Sequence, residues 1–194
     1  MNLQRRVTVD GIEETFAVNH LAYFLLTLLL LDRLKASAPA RIVNVASDAH
    51  KFVGGIAWDD LNQEKAYGGM RVYGHSKLAN ILFTRELARR LAGTGVTVNA
   101  VHPGAVATRL GQQNAWWAAL LARMLGIFFR SAEKGAETSI LVASSPALAG
   151  VSGKYFANSK EAGSSPAAQD MDAARRLWDV SAWMVGVAAD APGG

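Results

Sequence analysis

The sequence has no cysteine among its 194 residues, which excludes a disulfide framework, a thiolate zinc site and a cysteine nucleophile together. Four histidines, at 20, 50, 75 and 102, are scattered rather than grouped, so a metal centre lacks a donor set. Charge is sparse: 19% of residues are charged, and although the net charge is +4, no basic run exceeds two residues. A nucleic-acid partner, which needs a basic stripe, is not expected. Long apolar runs are also lacking. The longest, Leu21 to Leu31 broken only by Thr27, has 11 residues, where a membrane-spanning helix needs ~20. Acidic residues before the run (Asp10, Glu13, Glu14) and charges behind it (Asp32, Arg33, Lys35) make it a poor secretory signal. The missing thiols suit a reducing cytoplasm.

What is present reads as one globular unit over 1–187 with a mobile tail at 188–194, since 51% of residues are hydrophobic and the length suffices for a core. Asp10-Gly11-Ile12-Glu13 has capping-box logic, with Asp10 accepting from the Glu13 amide, and opens a mostly buried helix to about Leu34. Arg41 to Ser47 and Val96 to His102 are short, β-branched and apolar, as interior parallel strands are. Gly153 to Ala157 is a third strand. Between them the pattern predicts helices over 71–91, closed by Gly93, over 115–129, and over about 131–143, capped by Ser131; a last helix covers 168–184. Strands alternating with helices of this length indicate an α/β sheet.

Tyr73 and Lys77 are four apart on a predicted helix, hence on one face. A free phenol titrates near 10, and a neighbouring ammonium favours the phenolate, bringing it toward a pH where it can move protons. Ser47 stands at the carboxyl end of a strand, where open α/β sheets place ligands. Asn19 sits inside the first helix without a surface reason, and Pro103-Gly104 begins where the second strand stops.

Asn19 in Phe-Ala-Val-Asn-His-Leu, Ser47 in Ile-Val-Asn-Val-Ala-Ser, Tyr73-Gly-His-Ser-Lys77-Leu-Ala-Asn and Pro103-Gly104 together resemble the short-chain dehydrogenase/reductase family, in its retinol-dehydrogenase-like branch. The resemblance implies the C-terminal part of a doubly wound, Rossmann-type parallel sheet with flanking helices. It implies Tyr73 as general acid/base, Lys77 lowering its pKa and holding the nicotinamide ribose, Ser47 bonding the substrate oxygen, and Asn19 holding a water that links Lys77 to solvent. Pro103, Gly104, Val106 and Thr108 would line the nicotinamide. The cofactor would be NADP or NAD, NADP being favoured by the branch, and the substrate a small apolar alcohol or carbonyl compound. The helices bearing Asn19 and Tyr73 resemble those the family pairs into homodimers. Two departures stand out: Ala22-Tyr23 replaces an expected Gly-His, and Ala46 an expected serine; neither is expected to touch a catalytic atom.

A larger departure is the absence of Thr-Gly-x-x-x-Gly-x-Gly, the turn whose amides and helix N-terminus take the pyrophosphate. The expectation is a chain without the N-terminal strands. Its first strand would have an unpaired edge, it would self-associate, and it would bind no dinucleotide saturably. An inactive or partner-binding remnant is the rival reading. The stretch 115–129, with Trp117, Leu121 and Met124 on one stripe, fits core packing, an apolar substrate wall, or contact with a membrane surface. Residues His20, His50 and His75 read as packing or surface histidines, and His102 as structural.

Overall fold

A computed structural model describes residues 2–104 and 131–188. The candidate residues Val106, Thr108, Trp117, Leu121 and Met124, the helix expected over 115–129 and nearly all of the expected tail lie outside them.

Helix α1 runs Glu14–Ala36 and contains a π-helical turn at Ala17–Leu21. Its cap is Glu13, whose carboxylate accepts from the Thr15 and Phe16 amides at 2.9 and 2.7 Å. Asp10 does not take that role, because Thr8 to Ile12 form a tight turn before the helix, closed by Thr8 N–H to Ile12 O at 2.8 Å. By length and composition α1 could cross a membrane, at a mean hydropathy of 1.5; here its inward residues Phe16, Leu21, Phe24 and Leu31 are buried in the core. Strand β1 is Ala40–Val45, shorter than the expected 41–47. Helix α2, Gly69–Arg90, leads to strand β2, Val96–His102. Ser131 caps helix α3, Ala132–Ser144, as expected. Strand β3 is only Tyr155–Ala157, and it turns back into a two-residue strand β4, Lys160–Glu161, whose exposed charged residues gave no periodicity to read. Asp170 caps the last helix, α4, Met171–Met184, after a separate short turn at Pro166–Gln169.

The four strands form one sheet in the order β1-β2-β3-β4, parallel except for the last pair. β1 is therefore an edge strand among the described residues. Alternate residues of the strands point to opposite faces. Val96 and Val98 of β2 pack with Phe24 and Leu31 of α1, Phe83 and Leu87 of α2, and Trp178 of α4. On the other face Val101 and Phe156 pack with Val142 of α3. A parallel sheet covered on both faces explains why its strands are almost continuously apolar.

Candidate active site

The carboxyl end of β1 is where the site is assembled, and buried polar pegs add to the apolar packing of Leu78, Ile81, Leu82, Phe83 and Leu87 in fixing helix α2 against the sheet. Asn44 donates to Thr84 Oγ1 at 2.9 Å, while Asn80 Nδ2 and Lys77 Nζ both donate to the Val45 carbonyl, at 3.2 and 3.0 Å. Residues 77, 80 and 84 lie on one face of a helix, so these contacts set its rotation and height together. Glycine at 74 sets its distance. A Cβ there would lie 2.8 Å from the Ala49 carbonyl and 3.2 Å from Val53 Cγ1, so only glycine lets the Tyr73 turn press against the turn that follows Ser47.

Ser47 lies beyond the strand, with extended backbone (φ −161°, ψ 153°), and its hydroxyl caps the short helical turn Asp48–Phe52 by accepting from the Ala49 amide at 3.2 Å. Buried His50 holds it from below. The Ser165 amide can only donate, so His50 Nε2 accepts from it at 3.1 Å, which leaves the proton on Nδ1 to be donated to the Ser47 carbonyl at 2.7 Å. Burial keeps this imidazole below its ordinary pKa and so neutral. Asp48 ties the strand ends together, accepting from Tyr155 Oη at 2.9 Å and from Lys51 at 2.8 Å, with His102 Nε2 at 3.9 Å.

From the other side comes the π-helical turn of α1, a feature that often marks functional sites. Asn19 donates to Ser76 Oγ at 3.0 Å, and Ser76 donates to the Tyr73 carbonyl at 2.8 Å. The Asn19 side chain thus secures the turn that carries Tyr73; the water link expected of it is not part of this contact. His20, next along, is fully buried, pairs with Ser181 Oγ of α4 at 2.8 Å and interacts with the Asn80 side chain. Burial lowers its pKa to about 4, so it is neutral at ordinary pH.

Within this frame the four expected residues Asn19, Ser47, Tyr73 and Lys77 come together. The Lys77 ammonium lies 5.5 Å from the centre of the Tyr73 ring, and the Ser47 side chain is placed to hydrogen-bond the phenol. The electrostatics differ from the sequence expectation. Burial pushes the Tyr73 phenol above its ordinary value, only partly countered by the Ser47 hydrogen bond, and burial also pulls Lys77 down to about 8. Two groups that both lose solvation resist charging, and the lysine's hydrogen bond goes to the Val45 carbonyl rather than to the phenol. Tyr23, at a departure not expected to touch a catalytic atom, also lies beside the cluster, its ring centre 6.0 Å from Lys77 Nζ. His50, Asn80 and Gly74 were equally missed as supports, since partners distant in sequence leave no local pattern.

Pro103 and Gly104 follow β2 at the same sheet edge, Gly104 with a positive φ of 85°. A nicotinamide ribose fits the donor set present, namely a phenol, a serine hydroxyl and an ammonium that keeps N–H groups beyond the one given to Val45. A pyrophosphate does not find a strand-to-helix glycine turn among the described residues. β1 runs into the Asp48–Phe52 turn and β2 into Pro103-Gly104.

The chain is similar to several known proteins. Human retinol dehydrogenase 14 is 54% identical over 185 residues, covering 93% of this chain and 54% of that protein. Mouse retinol dehydrogenase 12 is 51% identical over 180 residues, covering 93% and 56%. The chain thus spans about half the length of the curated relatives it matches. Among solved structures, an uncharacterized protein from Mycobacterium Paratuberculosis has a TM-score of 0.74 at 32% identity, covering 97% of this chain and 64% of that one. A short chain dehydrogenase from Burkholderia cenocepacia J2315 in complex with NADP has a TM-score of 0.56 at 25% identity, covering 80% and 60%. With the short chain dehydrogenase model matching residues 2–118, the chain belongs to the short-chain dehydrogenase family.

Proposed function

We propose that this chain carries the catalytic half of an NAD(P)-dependent oxidoreductase that interconverts an alcohol and a carbonyl on an apolar substrate of retinoid, steroid or lipid type. The observation that carries the reading is the convergence of Ser47, Tyr73 and Lys77 at the carboxyl end of β1, with Asn19 securing the Tyr73 turn. The cofactor, when bound, supplies or accepts the hydride. Tyr73 moves the proton at the substrate oxygen, Ser47 orients that oxygen, and Lys77 holds ribose hydroxyls while favouring the phenolate. Pro103, Gly104, Val106 and Thr108 are our assignment for the nicotinamide side, and Trp117, Leu121 and Met124 for the substrate wall. NADP in preference to NAD, a cytoplasmic setting with peripheral membrane contact through 115–129, and a homodimer belong to the same reading; the names of the relatives support the retinoid class.

The test is turnover of an apolar aldehyde with NADPH and with NADH by the native chain and by Tyr73→Phe. The variant keeps the ring and loses the only proton-moving group, so turnover falls by the ~10²–10⁴ that acid/base catalysis contributes, with the fold unchanged. Half-retained activity would sink the assignment. A second reading, a partner-binding remnant, is favoured by the lack of a pyrophosphate-binding turn among the described residues. A fluorescence titration with NADPH to millimolar concentration separates the two: saturation supports the enzyme, and its absence the remnant.

A further inference from the structure

Lys77 is a buried cation, 7% exposed, and no carboxylate lies within ion-pair distance of it among the described residues. An unpaired charge removed from water is costly, and one carbonyl, that of Val45 at 3.0 Å, is a thin compensation. Two aromatic faces lie beside it, Tyr73 with its centroid at 5.5 Å and Tyr23 at 6.0 Å. They come from different helices. Tyr23 stands four residues after Asn19 on α1, just past the π-helical turn, which brings both toward α2. A ring face attracts an ammonium within about 6 Å of its centre through the ring quadrupole, most strongly where water is excluded.

We propose that Tyr23 is a positioning residue for Lys77: its ring is the second of two aromatic faces between which the buried ammonium is held beside Tyr73. The ring is the working part, because the Tyr23 hydroxyl is kept from ionising by burial, which raises it above the ordinary phenol value. An ionised Tyr23 would oppose ionisation of Tyr73, and the coupling between the two phenols has that sign. Tyr23 therefore steadies the lysine without competing for the proton. Among the described residues the amine is faced by Tyr23 from α1, Tyr73 from α2 itself and the Val45 carbonyl from β1, with no carboxylate of that set in ion-pair reach to obscure the effect. Its importance for turnover rests on the reading of Tyr73 and Lys77 as the reacting pair, but its test follows the amine alone and succeeds or fails separately.

The experiment is a pH titration of the Lys77 Nζ signal by NMR in residues 1–194 labelled at the lysine side chains, the signal being assigned by its loss in Lys77→Met. Native protein, Tyr23→Phe and Tyr23→Leu are compared. Tyr23→Phe keeps the native midpoint within ~0.2 unit, whereas Tyr23→Leu lowers it by roughly 0.5–1 unit, a three- to tenfold loss of protonated amine above the midpoint. Equal midpoints in native protein and Tyr23→Leu overturn the proposal; so does an equal fall in both variants, which assigns the effect to the hydroxyl. If thermal melting shows Tyr23→Leu unfolded, Tyr23→Met, which fills the space without a ring face, is read by the same criterion.

Discussion

Helices α1 and α2 both deliver residues to the site, but they are held in contrasting ways. Between Val72 and Leu87 every residue of α2 is buried except Tyr73, His75 and Arg85, and it is pinned to β1 by hydrogen bonds that Lys77 and Asn80 donate to the Val45 carbonyl and that Thr84 accepts from Asn44. α1 buries one stripe and turns Val18, Leu26, Leu29 and Leu30 outward, Leu29 being 72% exposed. Its link to the site runs through two side chains of one π-helical turn, Asn19 and His20, and through the Tyr23 ring. Core packing alone thus does not define a catalytic arrangement. Tyr73, which we propose moves the proton, sits on the helix that carries polar pegs as well as apolar core residues, while the helix that buries one apolar stripe contributes supports.

The sharpest way to break this contrast is Gly74→Ala. The new methyl meets a backbone carbonyl that cannot swing aside, and overpacking of this kind costs ~1–3 kcal/mol. A urea midpoint lowered to match, together with loss of the Ser47 to Tyr73 approach, is the expected result; an unchanged midpoint would mean that α2 is not held at contact distance.

Acid tests the α1 side. His20 titrates at about 4 in the fold against 6.5 for the free side chain, and His50 is shifted the same way. Between those values the unfolded chain binds protons that the folded chain refuses, so the stabilisation is complete above about pH 6.5 and declines as pH falls toward 4. For His20 alone the decline is about 2 kcal/mol by pH 5. His20→Phe, whose ring keeps the contacts with Phe16, Phe24 and Phe83, should flatten the dependence of the urea midpoint on pH between 7.5 and 5. A slope equal to the native one would remove His20 from the account.

The outer face of α1 gives the smallest effect on the fold itself. Leu26→Glu with Leu29→Lys changes exposed residues, so stability stays within ~0.5 kcal/mol per site. If that face drives the self-association expected of the chain, light scattering will show a smaller species; unchanged association would place the contact elsewhere, with the β1 edge the next surface to block.

Legibility in the sequence followed the range of the interaction. Ser131 and Asp170 cap helices within their own turns, and of these the Ser131 cap was read in advance. The short, β-branched, apolar character of β2 marked it as an interior parallel strand, and the four-residue spacing of Tyr73 and Lys77 put both on one side of a helix. The Asp10 cap was misread because the capping-box pattern assigns Glu13 to the first helical turn, whereas the turn at Thr8 to Ile12 delays the helix so that Glu13 itself accepts from the Thr15 and Phe16 amides. β4 escaped because a two-residue charged strand has no period.

The sequence by itself determined that thiol and clustered-histidine chemistry are excluded, that strands alternate with helices, and that Asn19, Ser47, Tyr73 and Lys77 are the chemical candidates, since composition, period and spacing are local properties. Only the tertiary structure decided how those groups titrate and what holds them. Desolvation depends on the whole surroundings of an atom, so burial could raise Tyr73 and lower Lys77 against the local expectation that one simply activates the other. The supports come from residues 25 to 161 positions apart, as in Gly74 against Ala49, Asn80 on Val45, His50 beneath Ser165, and His20 on Ser181, and contacts closed over such distances are fixed by the packing of the chain rather than by any segment of it.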